Sequence, residues 1–354
     1  MKKISLDPKN IDHSLIKEAA KVLTSGGVVA LPTETVYGLA GRPDKQATVD
    51  KLYSIKKRPK DKPFSIAVDD PEKAIRFYLA TLPPFGYRLL EEFWPGPLTV
   101  VFYDRNDKAI GVRVPDSPII REVLKEANTP VCLPSANVSG EGEILSADGV
   151  EETFGNEVDL IVDGGPCEHG RASTVLDLTF YPFKILRHGV ASEKRIIEVF
   201  TRKRILFVCT GNTCRSPMAQ FLMQIYLAQM SPYAQSRYEV ISRGISAFGG
   251  LMAASNVIEV IKEKEKVDVL NFVSQKLDRY TLLSSDLIFT MEDDQLNYVL
   301  KFEPTVEGRI FNLKKFLPAE FENDISDPVG KGKEVYEQLY ETLSQAIKEL
   351  MNWL

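Results

Sequence analysis

The sequence predicts an α/β protein in two parts, 1–200 and 201–354. Three observations carry this. Short apolar runs rich in Val, Ile and Leu recur along the chain, bounded by Gly, Pro, Asp or Asn. Segments with apolar residues at helical spacing lie between many of them. A boundary stands at 192–203, where a strand and turn (181–190) gives way to a short amphipathic helix, 192–200, with Ser192 as its cap, before a new apolar strand opens at Arg204. A chain of 354 residues is also long for a single core.

In the N-terminal part, 26–32 reads as a buried strand and 44–56 as a helix. Strands follow at 63–68, 98–103, 110–115, 129–136, 158–163 and 173–179. The expected architecture is a strand-rich α/β or α+β domain with several helices, the α/β form with a twisted mixed sheet being preferred. In the C-terminal part, strands at 204–209, 238–244, 286–291 and 309–313 alternate with helices at 216–230, 253–264, 293–302 and 332–351. Regular alternation of this kind predicts a doubly wound parallel sheet.

Composition narrows the function classes. Lys and Arg number 44 against 49 Asp and Glu, for a net charge of −5, which lacks the basic excess of a dedicated nucleic-acid binder. No apolar run reaches the length of a membrane span and the first residues lack an apolar signal core, so no membrane partner and a cytoplasmic location are expected. Four cysteines make no disulfide framework, and three histidines, none near a Cys pair at zinc spacing, argue for no metal site.

The densest chemistry is Val208-Cys209-Thr210-Gly211-Asn212-Thr213-Cys214-Arg215-Ser216-Pro217. An apolar strand runs into Cys209, Arg215 stands six residues on, and a helix opens with Ser216 as cap candidate and Pro217 in its first turn. A loop between a strand and a helix N-terminus turns backbone N–H groups inward and makes a phosphate-binding loop. The same positive field is expected to lower the Cys209 thiol and favour the thiolate. Gly211 is expected to supply backbone freedom, and Arg215 can grip two phosphate oxygens. A general acid is still needed, and Asp327, fixed before Pro328, is the candidate.

Together these segments resemble the low-molecular-weight protein tyrosine phosphatase family over about 204–354. The resemblance implies Cys209 as nucleophile, Arg215 as phosphate clamp and Asp327 as general acid. It implies loop support from Asn212 and Ser216, and a protective reversible disulfide between Cys214 and Cys209. Thr213 stands where phosphotyrosine enzymes often carry Ile and bacterial protein-arginine phosphatases carry Thr, so a phosphoarginine protein substrate is favoured over phosphotyrosine. One departure is Phe272-Val273-Ser274, where the family usually has His-x-Ser; a supporting bond to Asn212 is expected to be missing.

The N-terminal part spreads its chemistry widely. Leu31-Pro32-Thr33-Glu34-Thr35-Val36-Tyr37-Gly38-Leu39 packs hydroxyls and a carboxylate into a short turn. Lys56-Lys57-Arg58-Pro59-Lys60-Asp61-Lys62 carries five cations in seven residues, suited either to a polyphosphate or to solvent. Arg113 lies among strand residues, where burial would need an anionic partner. Ser135-Ala136-Asn137 ends one strand, Ser173 opens another, Arg187 follows, and Trp94-Pro95-Gly96-Pro97-Leu98-Thr99 makes a rigid turn.

In this order the motifs resemble the YrdC-type threonylcarbamoyl-AMP synthase family over roughly 10–192. The resemblance implies synthesis of threonylcarbamoyl-AMP from L-threonine, bicarbonate and ATP, with magnesium accompanying the ATP and no tightly bound cofactor. The product serves threonylcarbamoyladenosine modification of tRNA. Lys56 and Arg58 match phosphate binders, and Ser135, Asn137 and Arg187 match nucleotide binders. Thr35, Arg113 and Ser173 match threonine-site residues. Ala67 replaces a His that many members hold against threonine. The implied partners are tRNA-modification proteins and a phosphorylated protein substrate, with direct tRNA binding left open. The expected whole is a bifunctional enzyme; the alternative is a phosphatase with a non-catalytic nucleotide- or RNA-binding N-terminal domain.

Overall fold

The computed structural model describes residues 2–78, 81–318, 321 and 324–354. The chain forms two compact units. The first ends at Leu82 and resumes over Leu89–Ile197; the second takes Pro83–Arg88 and Glu198–Leu354.

Among the described residues the first unit holds ten strands: β1 (Lys2–Ser5), β2 (Val29–Leu31), β3 (Gly38–Ala40), β4 (Ile66–Ala67), β5 (Leu98–Tyr103), β6 (Ala109–Arg113), β7 (Val131–Cys132), β8 (Leu160–Asp163), β9 (Thr174–Asp177) and β10 (Lys184–Arg187). The sequence expectation was one mixed sheet. The strands instead divide into a four-stranded sheet, ordered β1-β8-β2-β3, and a six-stranded sheet, ordered β10-β9-β5-β6-β4-β7. Both mix parallel and antiparallel pairs, and two isolated bridges, Gly38 to Ser135 and Gly41 to Cys132, stitch one to the other. Two expected strands, 63–68 and 129–136, shrink to two residues each, because the segments around β4 and β7 turn off to line a cavity.

The four-stranded sheet is apolar on both faces. Val29, Leu31, Leu160 and Val162 pack against Ile16, Leu23, Ile120 and Val123. Val28, Ala30 and Ile161 pack against Leu52, Ile55, Val150 and Phe154. Burial on both faces explains why β2 and β8 read as unbroken apolar runs. The boundary helix spans Glu193–Thr201, and Ser192 caps it, its hydroxyl accepting from Arg195 N at 3.2 Å.

The second unit holds β11 (Lys203–Cys209), β12 (Tyr238–Gly244), β13 (Leu287–Thr290) and β14 (Ile310–Asn312) in the order β12-β11-β13-β14, all parallel. Alternate residues of β11 face opposite layers. Ile205, Phe207 and Cys209 join the helices Arg215–Met230, Ser255–Glu265 and Lys333–Trp353; Leu206 and Val208 join Leu282, Val299 and Ile310. This is the doubly wound arrangement the alternation predicts. It sets the Cys209 loop at the carboxyl end of the strand beside which the order reverses, where open α/β sheets bind ligands.

Candidate functional sites: a cysteine–arginine loop and a cationic cavity

The C-terminal site begins at the end of β11. Cys209 is 3% exposed, and its Sγ lies 3.0 Å from Ser216 Oγ while accepting the Asn212 backbone N–H at 3.3 Å. Asn212, with φ of 53°, is the left-handed residue that folds the loop back. Gly211 was expected to provide that freedom, and it does not lie in the left-handed region. Ser216 was expected to cap the helix. The helix already starts at Arg215, so Ser216 lies inside it and turns its hydroxyl to Cys209.

The Asn212 side chain is saturated. Its Nδ2 donates to Ser216 Oγ at 3.0 Å and Ser242 Oγ at 2.9 Å, and its Oδ1 accepts Gln275 N at 2.8 Å. The support expected to be missing, with Phe272 in place of His, is supplied by Ser242 and by the backbone beyond Ser274. Ser274 itself bonds Phe248 O and Leu251 N and so shapes the neighbouring loop. Cys214 Sγ lies 3.5 Å from Tyr336 Oη and 3.6 Å from Thr213 Oγ1, and both Cys209 and Cys214 are free thiols.

Arg215, 2% exposed, extends from the first helical turn toward two carboxylates. Nη1 donates to Glu292 Oε1 at 2.6 Å and Ile325 O at 3.0 Å, and Nη2 to Asp327 Oδ2 at 2.5 Å. The three residues chosen from sequence, Cys209, Arg215 and Asp327, therefore stand around one loop. The thiol is where expectation and structure differ. Burial pushes Cys209 up, against the downward pull of the Ser216 hydroxyl and N–H, of Arg215 and of the Asn212 N–H.

Sequence reading missed Glu292, Gln295, Ser242 and Gly244. Gln295 Nε2 bonds Glu292 Oε2 at 2.5 Å and Thr210 Oγ1 at 3.2 Å, tying the carboxylate to the loop. A Cβ on Gly244 would come within 2.7 Å of Thr210 O and 2.9 Å of Asn212 N. The only local signal was a Gly closing the β12 run.

The N-terminal site is a cavity of about 380 Å³. Its wall includes Thr33, Arg58, Ala67, Thr99, Arg113, Ser135, Ser173 and Arg187. Arg58 turns back on its own loop, Nε to Lys62 O at 2.8 Å and Nη2 to Pro63 O at 3.1 Å, with its guanidinium over the Phe64 ring. Arg187 grips Ser173 twice, Nε to the carbonyl and Nη2 to Oγ, each at 3.0 Å; Thr99 Oγ1 meets the same hydroxyl at 2.9 Å. Arg113, in β6, has the anionic partner its burial requires: Nη2 is paired with Glu34, itself 6% exposed, and Nε donates to Gly96 O at 3.0 Å. Ala67, opposite Arg113 in the β4–β6 register, presents only a methyl to the cavity.

Three expected residues stand behind this wall. Thr35 is fully buried, bonded through Oγ1 to Thr33 Oγ1 at 2.9 Å, and Thr33 is the one that reaches the cavity. Asn137 accepts Ser135 Oγ at 2.5 Å and donates to Glu141 O at 2.8 Å. Lys56 is 2% exposed and donates to Ser135 O and Asn137 O, both at 2.5 Å. The basic run is thus no single cradle. Lys56 is buried, Arg58 faces the cavity, and Lys60 pairs with Asp50 at the surface. A Cβ on Gly189 would come within 2.3 Å of Ala172 O and 2.4 Å of Ser173 C, so Gly189 sets how closely the next segment approaches Ser173.

One unit thus carries a cationic, hydroxyl-lined cavity and the other a thiol–guanidinium loop. Residues 21–189 match the Sua5/YciO/YrdC family model, described as telomere recombination, and 204–354 match the low molecular weight phosphotyrosine protein phosphatase model. The chain belongs to the Sua5/YciO/YrdC family, and its C-terminal unit is a low-molecular-weight phosphatase domain. It is 34% identical to a putative threonylcarbamoyl-AMP synthase of Mycobacterium leprae, over 52% of this chain and 87% of that protein. It is 33% identical to the threonylcarbamoyl-AMP synthase of Pyrococcus abyssi, over 56% of this chain and 60% of that protein, so it spans about three fifths of that relative's length. The fold resembles Pyrococcus abyssi Sua5 complexed with L-threonine, with a TM-score of 0.54 at 22% identity, covering 88% of this chain and 99% of that one.

Proposed function

We propose that the protein is a bifunctional enzyme. The N-terminal unit makes threonylcarbamoyl-AMP from L-threonine, bicarbonate and ATP, and the C-terminal unit is a protein phosphatase with a preference for phosphoarginine. The observation that carries the first activity is the convergence of Arg58, Arg113, Arg187, Ser135 and Ser173 on one cavity wall. The reaction joins two anions. The threonine amine condenses with bicarbonate, losing water, and a carbamate oxygen attacks the α-phosphorus of ATP as pyrophosphate leaves. Guanidinium groups and hydroxyls already fixed in the wall offset the charge gathered at that phosphorus. ATP would enter as its magnesium complex, in which the metal would offset part of the negative charge of the triphosphate. Arg113 is suited to the amino-acid carboxylate, and Ala67 leaves room where a larger side chain would narrow the choice of substrate.

The phosphatase reading rests on Cys209 Sγ, Arg215 and Asp327 around one loop. The Cys209 sulfur attacks phosphorus, and Asp327 gives its proton to the leaving group. Water then attacks the phosphocysteine, with Asp327 taking a proton back, releasing phosphate and the free thiolate. Asp327 lies on a loop and is partly exposed, which suits a residue that must leave Arg215 and reach a substrate. Thr213, half-buried in the loop wall, supports phosphoarginine, since a hydroxyl can accept from a guanidinium N–H or order the attacking water. We place the activity in the cytoplasm; among the described residues no helix is long and apolar enough to cross a membrane. Pyrophosphate release from ATP should require both threonine and bicarbonate, and release independent of either would refute the synthase. Turnover of phosphoarginine and phosphotyrosine side by side tests the second activity, and indifference to phosphoarginine would leave a tyrosine phosphatase.

A further inference from the structure

The buried ammonium of Lys56 carries an inference that deepens the nucleotide reading and rests on it. Lys56 is the last residue of the helix Gln46–Lys56, and Lys57 beyond it is left-handed, with φ of 50°. Side chain and backbone of Lys56 both engage the same distant segment. The carbonyl accepts Ser139 N at 2.9 Å, and Nζ reaches Ser135 O and Asn137 O at 2.5 Å each and Asn137 Oδ1 at 3.4 Å. An ammonium has three N–H bonds, and three oxygens meet it here. No carboxylate is paired with Lys56 among the described residues. Its charge is balanced by oxygen dipoles of one turn, much as a small cation organises a loop. The turn is also held by Ala136 N to Tyr37 O at 2.6 Å, Asn137 N to Ser135 O at 2.9 Å, Ser135 Oγ to Asn137 Oδ1 at 2.5 Å and Asn137 Nδ2 to Glu141 O at 2.8 Å, and Lys56 is the one cation among these contacts. Its inner face carries Ser135 in the cavity wall, while Lys56 and Asn137 stand behind it.

We propose that Lys56 is a positioning residue of the nucleotide site, holding the Ser135–Asn137 turn through its carbonyl oxygens, and that it does not ligate the phosphates. Arg58 and Lys62, which do line the cavity, are left to take the phosphate role within the basic run. The two roles differ in how loss of the side chain scales with the ligand. Removing a phosphate ligand weakens ATP more than AMP. Removing the clamp behind the wall weakens AMP, ADP and ATP alike, because all three press on the same displaced surface.

The test is calorimetry of the full chain with AMP, ADP and ATP, comparing wild type, Lys56→Met and Arg58→Met. Lys56→Met is expected to weaken all three by one common factor, roughly tenfold, the scale of lost charged hydrogen bonds. Arg58→Met is expected to weaken ATP several times more than AMP. Hydrogen exchange should quicken in Lys56→Met at 135–139 and not in β2 or β8, which separates a local clamp from general loosening. Unchanged slow exchange in β2 and β8 of the same variant reports that the first unit is folded. A loss in Lys56→Met that grows from AMP to ATP, or no loss, overturns the proposal. If Lys56→Met fails to fold, Lys56→Arg, whose planar fork cannot repeat the three-point contact, is read by the same ratio. A wild type that binds none of the three nucleotides refutes the nucleotide reading itself, and the positioning role falls with it.

Discussion

From Cys209 to Ser216 the loop of the second unit runs through consecutive residues, whereas the cavity wall of the first is gathered from Thr33, Arg58, Arg113, Ser135, Ser173 and Arg187. The loop draws its shape from one strand end, one helix start and one left-handed residue, Asn212. The cavity depends on two sheets bridged at Gly38 and Gly41 and on turns pinned from behind by Lys56, Asn137 and Gly189. A contiguous site concentrates its function in a few groups, and each should be indispensable. A distributed site shares its load, so single losses should be partial. The predictions break or sharpen that contrast, and the largest effect is expected in the loop.

Cys209→Ser should abolish phosphatase turnover while leaving threonine-dependent pyrophosphate release unchanged, because a hydroxyl in this setting does not ionise as a thiol does. Retained turnover would remove Cys209 as nucleophile. Asp327→Ala should slow turnover by about 10²-fold, the scale of a lost general acid, and most for the poorest leaving groups. A uniform loss across leaving groups would instead place Asp327 in binding through Arg215.

In the cavity, Arg58→Ala should weaken ATP binding by roughly 1–3 kcal/mol, as for a charged hydrogen bond. Activity should fall and not vanish, since Arg187 and Ser135 remain. Complete loss with an intact fold would mean the distributed site hinges on one residue after all. Thr213→Ile should lower phosphoarginine turnover relative to phosphotyrosine by about tenfold or more, because hydrogen-bonding pockets discriminate more sharply than apolar ones. An unchanged ratio of the two kcat/KM values would take Thr213 out of substrate choice.

The same contrast explains what the sequence could tell. The second unit was legible nearly whole, since strand, loop and helix follow one another and their order carries the geometry. Its errors were local. Gly211 was credited with a turn that Asn212 makes, and Ser216 was read as a cap because residue type gives no hint that the helix starts one residue earlier. In the first unit, individual residues were legible and their rank was not. Thr33 and Thr35 are two positions apart in one motif, yet only Thr33 reaches the cavity, because the turn sends the other hydroxyl inward. Lys56 and Arg58 look alike in a basic run, but the left-handed Lys57 between them separates a buried clamp from an exposed wall. Glu292 and Gln295 lie far along the chain from Cys209, and only parallel pairing of β13 beside β11 brings them to the loop. Such placements follow from sheet register, which short motifs do not encode.

The smallest effect expected concerns the thiol, and it tests how self-contained the loop is. Burial raises Cys209, and the largest opposing influence is the Ser216 hydroxyl, followed by the Ser216 backbone N–H, Arg215 and the Asn212 N–H. A hydrogen bond to the thiolate stabilises the charged form, so its removal must raise the thiol further. Ser216→Ala deletes the hydroxyl and leaves both backbone donors, with Asn212 still held by Ser242 and Gln275. The rate of alkylation by iodoacetamide, followed against pH, should therefore keep its sigmoidal form and move to higher pH, with the wild type faster at every pH below the plateau. Turnover at neutral pH should fall in proportion to the thiolate lost, and raising the pH should recover part of it. A midpoint that stays in place would mean that the backbone donors and Arg215 set the thiol unaided. A midpoint that moves down would mean that the hydroxyl accepts from the thiol and steadies its neutral form, reversing the assigned direction of that bond.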